Sequence, residues 1–195
     1  MSKGQSTKRV ILDEATEIAS RTGLQALTIG TLAARTELSK SGLFAHFRSK
    51  ESLQLEVLRH ARDRFVDLVI RPALATPRGE QRVRALFEHW LSWCRGDALE
   101  GGCIFTAAAT EFDDQPGAVR ELLVNDERDL ADTVAQVFRT GISEGRFRAD
   151  ADPYQFAQDL HGILLAYVHT ARLLADPKAE QRARRAFEAL LDAAR

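Results

Sequence analysis

Long apolar runs are missing from this sequence. A helix needs about 18–20 consecutive apolar residues to cross a bilayer, and no window approaches that, so no membrane partner is expected. The opening MSKGQSTKRV has no apolar segment of the secretory kind. Cysteine is scarce. Cys94 and Cys103 are too few for a disulfide framework and read as reduced thiols of a cytoplasmic protein. Nothing beside either marks a reactive thiolate. β-Branched residues are also few: 10 Val and 7 Ile stand against 29 Ala and 24 Leu. That balance favours helix, because β-branched side chains lose χ1 freedom there. No period-two alternation argues for strands, and there is no internal repeat or low-complexity tract.

What is present is helix punctuation. Ile11, Leu12, Ala15, Ile18 and Ala19 share one helical face, and Gly23 offers a left-handed end with Leu24 folding back. Thr28 can cap a short helix that buries Ile29, Leu32 and Ala33; Ser39 can cap a third. Ser49 can cap a fourth, which runs through Leu53, Val57 and Phe65 to about Ile70, where Arg71-Pro72 is expected to stop it. Beyond that the elements lengthen. An apolar stripe covers 79 to 95, GDALEGG reads as a loop, and a short helix follows from Cys103 to about Phe112. Pro116 is placed as a first helical residue of a long stripe that ends near Gly145. Asp152-Pro153 opens a helix to about Ala175, and Pro177 opens the last. The expected architecture is all-α with about nine helices.

The net charge of −1 hides an asymmetry. Residues 1 to 62 hold ten Lys/Arg and six Asp/Glu, a balance of +4; the rest hold 17 and 22, a balance of −5. A basic small end on an acidic large end suggests an anionic partner for the first part. Two short helices, 28–35 and 39–45, flank the turn Thr36-Glu37-Leu38, as in a helix-turn-helix. In such a unit the N-terminal residues of the second helix reach base edges in the major groove. Here those residues are Lys40, Ser41 and Gly42, with the apolar ones late. Lys40 and Lys50 each follow a capping serine, where the helix dipole disfavours a cation by about 0.3–1 kcal/mol. A phosphate at the same place reverses that sign. Lys3, Lys8 and Arg9 are further candidates for backbone or minor-groove contact, or are simply solvated.

In order and spacing, RVILDEATEIASRTGLQALTIGTLAARTELSKSGLFAHFRSKESL resembles the DNA-binding region of the TetR/AcrR family of bacterial transcriptional regulators. GGCIFTAAATEFDDQPG further resembles the sixth-helix region of some members. The resemblance implies a helix-turn-helix domain at 1–48 and a ligand-binding and dimerisation domain at 49–195, with helix 49–70 as connector. It implies a homodimer that binds a palindromic operator in double-stranded DNA and acts as a repressor released by a small-molecule effector. The DNA-facing set becomes Thr28, Ser39, Lys40, Ser41, Gly42, Leu43, Phe44, His46 and Lys50. Two departures stand out. Glu37 occupies a turn position where the family often has Gly. Phe44 replaces a frequent Tyr whose hydroxyl binds phosphate; it can only pack or touch a thymine methyl.

For the larger part, Phe87, Trp90, Cys94, Cys103, Phe105, Phe112, Phe138 and Tyr167 are candidates to line a pocket for an apolar or aromatic effector. Leu160, Leu164, Tyr167, Val168 and Ala171 are expected to join Phe187, Leu190 and Leu191 in a four-helix dimer interface. His89, His161 and His169 are also candidates for that interior. His161 and His169 lie eight apart, yet no third ligand has suitable spacing, so neither metal nor cofactor is expected. Glu111, Asp113 and Asp114 read as a helix end and a solvated turn, not as paired acids. No enzymatic activity is expected. A helical enzyme or ligand carrier whose N-terminal helices only pack is the competing class.

Overall fold

The computed structural model describes residues 3–36 and 38–195, with side chains from Thr7 onward. The helices are α1 (Lys3–Thr22), α2 (Ile29–Thr36), α3 (Lys40–His46), α4 (Lys50–Phe65), α5 (Arg71–Ala75), α6 (Glu80–Arg95), α7 (Ile104–Phe112), α8 (Ala118–Ser143), α9 (Pro153–Val168) and α10 (Ala179–Ala194). A π-helical turn at Val66–Ile70 joins α4 to α5, and another at His169–Leu173 extends α9. Counted as continuous rods, the described residues form nine helices and no strand, as expected.

The expected stops at proline need correction. Arg71-Pro72 does not end its helix. Proline has no N–H to give its preceding turn, and the chain widens there, with Arg71 N–H reaching Val66 O. The helix goes on to Ala75 and ends where Thr76 turns extended. Pro116 and Pro177 both precede their helices, which begin at Ala118 and Ala179. The second π turn contains Thr170, whose hydroxyl donates to Ala166 O at 2.8 Å and competes with the helical ladder.

The chain divides into two compact units: residues up to Arg64 with Ala98–Asn125, and Phe65–Asp97 with Asp126–Arg195. This division by packing differs from the functional boundary expected at 48/49, since most of the connector helix belongs to the first unit. The core of that unit is the buried stripe of α1 (Ile11, Ala15, Ala19) with Leu32, Leu43, Phe47, Leu53 and Val57. The loop before α7 lies against α1 so closely that a Cβ on Gly101 would collide with the Ser20 backbone; Gly101 N–H donates to Ser20 Oγ at 3.1 Å.

The second unit is held by rings and ion pairs. Phe65 meets Trp90 and Trp93 edge-on at 5.9 and 5.3 Å between centroids. Phe87 stacks on Phe187 at 4.0 Å. Phe138 stacks on Phe147 at 4.5 Å and on Phe156 at 4.1 Å. No helix of the described residues is long and apolar enough to cross a membrane.

Candidate nucleic-acid interface

The interface is built from three helix starts in the first unit. Gly23 closes α1 at φ +90°, a conformation that suits glycine. Five residues later Thr28 opens α2. Its Oγ1 accepts Thr31 N–H at 3.0 Å, and its own N–H donates to Thr31 Oγ1 at 2.9 Å, a reciprocal cap of the capping-box kind. The Thr31 hydroxyl donates to Thr28 O at 3.0 Å, and the Thr28 hydroxyl lies 3.2 Å from Thr31 Oγ1, which can accept its hydrogen. Ser39 caps α3 by accepting Gly42 N–H at 3.1 Å, and Ser49 caps α4 by accepting Ser52 N–H at 3.0 Å. All three caps read from the sequence are therefore present.

Most of the expected DNA-facing residues come together on one exposed region. Ser39, Lys40, Ser41, Gly42 and Lys50 are exposed, Phe44 is 53% exposed, and Thr28 and His46 are half-buried. Lys40 reaches back over the start of α2. A methyl placed on Gly30 would sit 3.6 Å from Thr28 Oγ1 and 4.0 Å from Lys40 Cε. The Thr28 hydroxyl and the Lys40 side chain thus share the first turn of α2, where backbone N–H groups point outward.

Leu43 does not belong to this set. It is fully buried with Phe47, one turn on, while Phe44 turns out to solvent. Lys50 also departs from the picture of a free cation, since its Nζ donates to Gln25 O at 2.5 Å. Lys8 pairs with Glu56 at 3.1 Å and lies over the Phe47 ring at 5.8 Å, so it is tied to the headpiece itself. The expectations on Glu37 and on the Lys3 side chain lie outside the described residues.

The candidate effector residues are divided between the units. Cys103, Phe105 and Phe112 lie in the first; Phe87, Trp90, Cys94, Phe138 and Tyr167 lie in the second. Phe87 and Phe138 are committed to the ring stacks of the core, at 1% and 0% exposure. Trp90 instead faces His161, with ring centroids 5.3 Å apart, and His161 Nδ1 lies 3.6 Å from Glu127 Oε2. Burial pushes the Glu127 carboxyl above the usual carboxylate range; His161 opposes this and Asp126 adds to it. The sequence reading missed Glu127, yet a signal was there: it stands on the apolar stripe Leu123, Leu130, Val134 of α8, where a charge is out of place. His161, weighed earlier as a metal ligand, is the partner of that carboxylate. Among the described residues no group of three or more His, Cys, Asp or Glu is arranged to hold a metal.

Five of the expected dimer residues are covered by their own chain. Leu160, Leu164, Tyr167, Phe187 and Leu191 are at most 6% exposed, so they are core residues of the second unit. Val168, Ala171 and Leu190 remain half-exposed. The open apolar side chains beside them are Leu165 (41%) and Leu173 (72%), with Ala186, Ala189 and Ala193 on α10.

A helical headpiece with a capped two-helix reader, joined to a separate helical unit, defines a DNA-binding transcriptional regulator. Residues 11–57 match the model for bacterial regulatory proteins of the tetR family, and residues 79–187 match the model for tetracyclin repressor-like C-terminal domains. The chain belongs to the tetR family of bacterial regulators. Its fold is that of a TetR transcriptional regulator from Chloroflexus aurantiacus, with a TM-score of 0.87 at 24% identity over 98% of this chain and 96% of that one. SCO4454, a TetR-family regulator from Streptomyces coelicolor, aligns with a TM-score of 0.82 at 20% identity over 98% and 96%. AibR, solved with isovaleryl coenzyme A and operator DNA, aligns with a TM-score of 0.72 at 22% identity over 90% and 93%. No protein of curated function matches the chain.

Proposed function

We propose that the chain is a cytoplasmic, homodimeric, non-enzymatic repressor that leaves its operator when a small molecule binds. The observation that carries the DNA half of this reading is the exposed early face of α3, Ser39 to Gly42 with Phe44, on a helix whose Leu43 is buried. Small and cationic side chains there suit base edges, while Thr28, Lys40, His46 and Lys50 suit phosphates. Residues 1–48 serve DNA and 49–195 serve effector and dimer. AibR supports the pairing of an operator with a small molecule in this architecture. The effector residues proposed in the second unit are Trp90, Cys94 and Tyr167, with Glu127 and His161 as polar contacts; those proposed in the first unit, on and before α7, are Cys103, Phe105 and Phe112. An effector beside α7 shifts α4 and changes the headpiece geometry, provided it prefers the released state.

The test is an electrophoretic mobility shift with the DNA upstream of its own coding sequence. The wild-type dimer is expected to bind specifically and with strong salt dependence. Lys40→Glu with Lys50→Glu is expected to weaken binding by about two orders of magnitude or more, with dimer and melting temperature kept. Absence of salt-sensitive specific binding by the wild type sinks the reading. A double variant that keeps full function favours a ligand carrier or enzyme instead.

A further inference from the structure

Glu111 lies near the end of α7, 86 residues from the loop between α1 and α2, and the two are stitched together. Gln25 N–H donates to Glu111 Oε2 at 2.8 Å, and Gln25 Nε2 donates to Glu111 O at 2.9 Å. The same carboxylate lies beneath Gly23, where a Cβ would collide with it. From the other side Lys50 Nζ donates to Gln25 O at 2.5 Å, and Gln54, buried on α4, donates to Leu24 O at 3.0 Å. Three residues past Gln25, Thr28 starts α2. Gln25 is therefore gripped by α7 through Glu111 and itself holds the ammonium at the start of α4.

We propose that Glu111 is a positioning residue for DNA binding: by fixing Gln25 it orients the Lys50 ammonium toward the operator phosphate. This rests on the operator-binding reading above. An ammonium has three N–H donors. With one fixed on Gln25 O, the other two keep a constant direction and remain available to a phosphate. Without that acceptor a long, flexible side chain must be ordered at the moment of binding, which costs affinity. Displacement of α7 draws the Glu111 carboxylate away from the Gln25 amide, so the loop and Lys50 are released together.

The experiment is a fluorescence-anisotropy titration of the full chain on a labelled duplex from its own upstream DNA, at several salt concentrations. Glu111→Ala is expected to bind about five- to tenfold more weakly, the loss of one charge-assisted hydrogen bond. It should also lower the salt slope by about one, as Lys50→Met does. The double variant should bind no more weakly than Lys50→Met alone, since both changes remove one contact. Glu111→Gln keeps an acceptor and should bind within about twofold of wild type. If Glu111→Ala does not fold, Glu111→Asp withdraws the acceptor by one methylene and carries the same expectations. The proposal is overturned if folded Glu111→Ala, or Glu111→Asp in its place, binds as wild type, if its salt slope is unchanged, or if the two losses multiply. A wild type that binds no DNA overturns both this proposal and the operator reading, whereas wild-type binding with an indifferent Glu111→Ala or Glu111→Asp variant overturns this one alone.

Discussion

Phe44 is a large ring left 53% exposed on a helix of seven residues. Leu43 and Phe47 lie one helical turn apart and are both fully buried, and the neighbouring position turns about 100° away from them. That geometry was legible in the sequence as an i, i+4 pair. Reading the whole run Leu43-Phe44 as groove-facing overlooked it. The exposed ring has no hydroxyl to offer a phosphate, so the phosphate anchoring proposed above rests on Thr28, Lys40, His46 and Lys50. Phe44→Tyr adds a donor at the exposed edge and is expected to tighten operator binding about three- to tenfold in an anisotropy titration. An unchanged Kd would mean that the ring meets a base or packs, and that no phosphate lies within reach. Lys50 shows the other limit of reading single positions. Its place after a capping serine was plain, but its acceptor on Gln25 comes from a different helix junction, which no local pattern encodes.

Helix starts were the most legible elements, because a cap is a local contract between a side chain and an N–H three residues on. Thr28, Ser39 and Ser49 cap as read, and Asp152, expected with Pro153 to open a helix, caps it by accepting Tyr154 N–H at 2.8 Å. Helix ends were less so, since Pro72 is absorbed by a π turn whose widening depends on packing around Val69 and Ala73, both buried. Pairing between helices was not legible at all. Arg84 of α6 forks onto Glu188 of α10 at 2.5 and 2.9 Å and also bonds Glu80 at 2.8 Å. Arg184 engages Glu88 and Glu180, and Arg195 engages Glu80 at 2.5 Å. These pairs run antiparallel along α6 and α10, beside the Phe87–Phe187 stack. They hold three carboxyls below the usual range: Glu80 chiefly through Arg195, Glu188 through Arg84, and Glu180 through Arg184. A carboxyl lowered by folding contributes stability above its unfolded value and loses it as pH falls through the folded value. Arg84 and Glu188 are 36% and 52% exposed, so solvent screening limits the pair to about 1 kcal/mol or less. Arg84→Ala is therefore expected to lower the melting temperature at neutral pH by no more than about 2–4 °C. The difference should shrink below about pH 4 and in high salt. A difference that is independent of both would assign the effect of Arg84 to its aliphatic stem.

At the scale of the whole molecule the question is which surface a second copy covers. The stripes on α9 and α10 were read as an interface, but a stripe of period 3–4 serves a core and a partner equally well, and here the strongest side chains face inward. What is left outside is a narrower strip: Gly162, Leu165, Ala166 and Leu173 beside α9, with Ala186, Ala189 and Ala193 on α10. Gly162 has open space where a Cβ would stand, and the alanines are short, so a helix from another copy can approach closely. This strip is the surface proposed for the homodimer. Two headpieces must span half-sites about 34–36 Å apart to bind together, so operator affinity depends on it even though it lies far from DNA along the chain. Leu165→Glu with Leu173→Glu changes side chains that are already 41% and 72% exposed, which should leave the folded monomer intact. Sedimentation at micromolar concentration is expected to show a monomer with an unchanged helical circular-dichroism spectrum. Operator binding should fall by about two orders of magnitude or more, because each headpiece then binds a single half-site without the effective-concentration gain of its partner. A variant that stays dimeric would move the interface elsewhere on the second unit. A monomer that keeps full operator affinity would remove the need for two-fold recognition.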